Sequence, residues 1–143
     1  MASAITNAQS LHLQIIEAAG VVNNLNGAAI ARSLRQNRDL WISVVMARES
    51  RALAPASGEP PLAASISLIH LRDLPEDHVN LDTLFVLPTP GAQTALEELA
   101  RTWQPDEVVW FPILEACKAL GTAAVKYKGF KDPARFLLKA WWD

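Results

Sequence analysis

The stretch of residues 54–61, Ala-Pro-Ala-Ser-Gly-Glu-Pro-Pro, limits what this chain can become more than any other. Three prolines and a glycine in eight residues cannot continue a helix, because proline lacks an amide proton and its ring collides with the preceding turn. The break therefore acts as a linker, 54–61, between a helical part, 1–53, and a mixed remainder, 62–143. At 143 residues the chain suits one domain.

Before the break, two helical patterns are legible. Thr6 is a good N-cap, and Gln9 three residues later matches a capping box over a helix at 7–19. Ala8, Leu11, Ile15, Ala18 and Val22 recur at spacings of three and four, and Gly20 offers a stop. A second pattern runs over 26–53. Ile30, Leu34, Trp41, Val45 and Ala52 fall on a heptad-like seam, which predicts one helix or a helix broken near Asn37.

After the break the period changes. Residues 65–71, apolar and β-branched, read as a strand, with a helix opened by Pro60 and Pro61 as the rival. Residues 83–87 form a continuous apolar run, as in a strand buried on both faces. Thr89 then caps a helix with Pro90 in its first turn and Ala92, Ala95, Leu96, Leu99 and Trp103 along its stripe. Residues 108–111 read as a strand, 113–120 as a helix stopped by Gly121, and 123–128 as a weaker strand. Asp132 and Pro133 look like an N-cap and first helical residue before Ala134, Leu137, Leu138 and Trp141. The β-α-β-α-β-α order predicts an α/β class: a small, mostly parallel sheet of three or four strands with flanking helices, preceded by two N-terminal helices. The whole of 1–143 is read as a single domain.

Residues 34–41 and 64–68 resemble short stretches of the flagellar-biosynthesis regulator family. They cover under a third of the chain, and no residue role is carried over from them.

Charge and cysteine content narrow the function classes. The formal net charge is −2. Residues 73–117 hold nine acidic residues and one basic, and 118–143 hold six basic and two acidic. A near-neutral total argues against purely electrostatic nucleic-acid binding. The lone Cys117 allows no intrachain disulfide and fits a reducing compartment. The N-terminus lacks the basic and apolar regions of a signal peptide, and no apolar run reaches membrane-spanning length. The expectation is a cytoplasmic protein with no membrane contact.

Candidates for chemistry are few. The loop at 88–91 lies beyond a strand end, where Thr89 and Gly91 are positioned to meet a small ligand or phosphate. It carries no phosphate-loop motif. His70, Asp73, Glu76, Asp77, His78 and Asp82 are acidic and imidazole groups without metal-ligand spacing. Cys117 sits mid-helix, away from a helix N-terminus. No metal, cofactor or catalytic residue is expected. Trp141 and Trp142 are consecutive, so a helix could not bury both against one element: one would be exposed or cover a partner, unless both wrap a corner of the chain's own core. Lys126, Lys128, Lys131, Arg135 and Lys139 make a basic end. The expected function is a non-catalytic protein acting by protein–protein contact or self-association, with Trp141, Trp142, Lys128 and Lys131 at the interface. A ligand-binding protein or enzyme using Thr89 and Gly91 is the alternative.

Overall fold

A computed structural model describes residues 4–19, 21–22, 24–47, 74–76, 81–120 and 131–143. Helix α1 (Asn7–Ala18) is followed by a small antiparallel pair, β1 (Val21–Val22) and β2 (Leu25–Asn26), and by α2 (Gly27–Gln36). A 3-10 turn, Arg38–Leu40, leads into β3 (Trp41–Ala47). Then come β4 (Thr83–Pro88), α3 (Gln93–Arg101), β5 (Glu107–Phe111), α4 (Ile113–Leu120) and β6 (Leu137–Trp141). Strands β3 to β6 form one sheet in the order β3-β4-β6-β5, with every neighbouring pair antiparallel.

The expected mostly parallel sheet is therefore overturned. Both β4 and β5 run antiparallel to β6, so they point the same way, as a helical crossover through α3 requires. They are not paired, because β6 lies between them and runs the other way. The alternation β-α-β implies adjacency of β4 and β5, but the last described segment, β6, occupies the slot that adjacency would need. The strand readings at 65–71 and 123–128 lie outside the described residues.

Two helix readings become strands. Helix α2 stops at Gln36, where the Asn37 Nδ2 donates to the Ser33 carbonyl at 2.8 Å. The second half of the heptad-like pattern is then the extended run Trp41–Ala47. At the other end, Asp132 does accept from backbone amides, those of Ala134 and Arg135, but it closes a turn rather than opening a helix. Leu137 and Leu138 are both buried because they face opposite sides of β6. An apolar run of this kind cannot be assigned by periodicity alone.

One sheet face bears Val44, Met46, Leu84, Val86, Leu138 and Ala140. It packs on Leu13 and Ile16 of α1, Ile30, Ala31 and Leu34 of α2, and Leu96 and Ala100 of α3. The other face bears Leu87 and Leu137, which pack with Phe136 and with Ala116 of α4. Buried indole N–H groups are paired, as their desolvation demands. Trp41 donates to the Leu34 carbonyl at 2.8 Å, Trp103 to the Ser33 hydroxyl at 2.9 Å, and Trp142 to the Trp103 carbonyl at 3.3 Å.

Helix α1 closes the β3 edge. Its Thr6 cap accepts from the Gln9 amide at 3.3 Å, but the reciprocal half of a capping box is missing. The Gln9 side chain is committed to β3: its Nε2 donates to the Val44 carbonyl at 2.9 Å, and its Oε1 accepts from the Val44 amide at 3.0 Å. Ser43 Oγ also donates to that oxygen, and the Met46 amide donates to His12 Nε2 at 3.0 Å. The sheet-facing side of α1 thus includes half-buried, polar Gln9, and the expected stripe is displaced: Leu11 is 60% exposed while Leu13 and Ile16 are fully buried.

These positions predict opposite outcomes for two apolar truncations. Trp142→Ala should lower the unfolding free energy in a urea titration by about 3–5 kcal/mol, the range for deleting a buried large aromatic. Leu11→Ala should stay within about 0.5 kcal/mol of the parent chain.

Candidate functional site

Helix α3 carries Thr94, Glu97 and Arg101 at spacings of three and four, so they share one face. Residue Trp110 of β5 reaches this face, since α3 packs on β5 after a single turn. The Trp110 indole N–H donates to Glu97 Oε2 at 2.7 Å, and Arg101 donates to Glu97 Oε1 at 2.7 Å. Each carboxylate oxygen therefore has its own donor. From the turn before β6, the Arg135 guanidinium lies over the Trp110 ring, 5.9 Å from its centroid. The same guanidinium donates to Asp132 Oδ2 at 2.8 Å and to the Thr94 hydroxyl at 3.2 Å.

The result is a half-buried indole with Arg135 over its ring and Arg101 joined to it through Glu97, both arginines being oriented by carboxylates. The hydrogen bond from Trp110, then that from Arg101, holds Glu97 below its ordinary value. The Arg135 side chain does the same for Asp132. Both carboxylates are ionised at neutral pH and act as fixed acceptors. The arrangement suits recognition by an aromatic face and planar cations rather than proton transfer.

The residues singled out in the sequence are scattered. Thr89 does not cap α3; that position is Ala92, which makes no side-chain cap. The Thr89 amide donates to the Leu40 carbonyl and the Ala92 amide to the Thr89 carbonyl, so two amides of that loop already have partners. Gly91 is exposed and adopts φ +89°, a left-handed turn conformation that favours glycine. Trp142 is 0% exposed and belongs to the chain's own core, which removes it from any exposed surface. The premise that two consecutive tryptophans share a helix fails, because they lie at the end of a strand and alternate. Trp141 is half-buried and pairs in register with Thr83 and Glu107.

Lys131 is exposed beside Asp132. Lys139 leaves the basic end altogether: it is 7% exposed on β6, with Nζ 4.0 Å from Glu107 Oε2. Lys126, Lys128, His70, Asp73, Asp77 and His78 lie outside the described residues, as does the Cys117 side chain. Of the acidic cluster, Glu76 is exposed and Asp82 accepts from the Thr83 hydroxyl at 2.7 Å. Among the described residues no helix is long and apolar enough to cross a membrane, and no three His, Cys, Asp or Glu side chains gather as a metal site.

The Glu97–Trp110 pairing was missed because Trp110 reads as a core residue of a strand. The available signal was the Glu97–Arg101 spacing of four on a polar helix face. No family model, curated protein or solved structure matches this chain.

The lowered Glu97 value has a sign. The interaction is fully present above the ordinary carboxylate value of 4.5 and is lost as pH falls from there through the lowered folded-state value. The Trp110 indole N–H resonance should therefore hold its shift above pH 4.5 and move toward that of Glu97→Ala only in more acidic solution. Movement beginning near neutrality would contradict the pairing.

Proposed function

We propose that this chain is a non-catalytic protein that works through protein–protein contacts, as an oligomer or as a subunit of a larger assembly. The contact surface is the face of α3 and β5 around Trp110. The observation that supports this reading is the bracketing of Trp110 by Arg135 and, through Glu97, by Arg101. Tryptophan and arginine dominate the energetics of protein interfaces. Arginine is costly to order, and here hydrogen bonds to Glu97, Asp132 and Thr94 order both arginines in advance, while Glu97 also fixes the Trp110 indole. Exposed Lys131 extends the same rim. The single cysteine supports work in the cytoplasm, and the net charge of −2 favours a protein partner over a nucleic acid.

Arg101→Glu and Arg135→Glu test the surface without touching the core. The parent chain should show a solution mass by light scattering above the 15.6 kDa of one copy, or a cross-linked complex with a partner subunit. Each reversal should weaken that association by at least about tenfold. A parent chain that is monomeric without a partner would overturn the reading. So would an association that neither reversal weakens.

A further inference from the structure

Helix α1 holds the β3 edge by two side chains, and one of the two titrates. A backbone amide can only donate, so the Met46 N–H must meet a lone pair on His12 Nε2. The imidazole is therefore neutral, with its proton on Nδ1. Desolvation by burial opposes its protonation and places its value below the ordinary 6.5. Among the described residues few charges stand near enough to alter this. Strand β3, Trp-Ile-Ser-Val-Val-Met-Ala, contains no ionisable group. Helix α2 contributes Arg32, which is exposed, and Arg35, which pairs with Glu17 of α1 at 2.9 Å. Helix α1 itself carries no other charged group.

We propose that α1 is an acid-weakened latch on the sheet edge: a proton taken up from solvent by His12 Nε2 converts that atom from acceptor to donor, breaks the bond from Met46 and frees the Met46 end of the β3 edge. Gln9 supplies the half of the latch that does not respond to pH. The folded-state value lies below 6.5, so the released form binds the proton more readily. The latch is intact above pH 6.5 and weakens as pH falls through the window between 6.5 and the lowered value. This holds whether or not the α3–β5 surface binds a partner.

The test is amide hydrogen exchange of the full chain by NMR, expressed as protection factors from about pH 7.5 to about pH 5. Protection at Met46 should fall by up to about tenfold per pH unit below 6.5, the limit for uptake of one proton. Leu138, in the interior strand β6, should change much less. His12→Gln, which keeps an acceptor at every pH, should flatten the Met46 profile. Gln9→Ala should lower Met46 protection at every pH while keeping its slope, and it serves equally if His12→Gln fails to fold. Met46 protection independent of pH in the parent chain would sink the proposal. A slope shared by His12→Gln would do the same, as would parallel loss at Leu138, which would mean unfolding of the whole chain.

Discussion

A four-stranded antiparallel sheet has two outer strands, and each offers unpaired backbone groups on its free side. This constraint accounts for features that neither hydrophobicity nor helix propensity explains. Helix α1 turns glutamine toward the sheet because the amide of Val44 needs an acceptor and its carbonyl a donor. A primary amide supplies both from one side chain. The geometry copies the pair of bonds that another strand would make, yet a helix makes it. The exposure of Leu11 and the burial of Leu13 and Ile16 both follow from facing Gln9 and His12 to β3.

The second organising feature is the use of indoles as connectors. Three tryptophans donate inside the core, and each joins segments distant in sequence or fixes the entry to a strand. Trp142 is held further by its own amide, which donates to the Asp82 carbonyl at 2.9 Å. The C-terminal segment is thereby tied both to the start of β4 and to the end of α3. The fourth, Trp110, differs by directing its N–H to a half-exposed carboxylate, so its ring lies at the boundary between core and solvent. That boundary position supports the proposed contact role for Trp110, whereas the other three lie in the chain's own core.

Local chemistry was legible where one residue does one job. Thr6 capping α1, the run that becomes β4, the break at Asn37 and the span Ile113–Leu120 are all readable from the chain. Pairing was not. The β-α-β order is a local pattern, and nothing in it says that a strand at 137–141 will insert between β4 and β5. Leu137 and Leu138 fit a helical stripe and a doubly buried strand equally well, and tertiary pairing decided between them. In the sequence Gln9 pairs naturally with nearby Thr6, but its partner is Val44, 35 positions away. The Trp110 site escaped for the same reason: Glu97, Trp110, Asp132 and Arg135 converge only once β5 and β6 are side by side.

Fastening a helix along a strand brings together two rulers with different graduations. From residue 9 to residue 12 a helix advances about 4.5 Å, while from residue 44 to residue 46 a strand advances about 6.8 Å. Side chains of unequal reach absorb that discrepancy over two contacts, and it widens with each additional one. The next helical position on this side, Ile16, has turned into the apolar interior. A helix can therefore pin such a margin at two points but cannot hem it along its length.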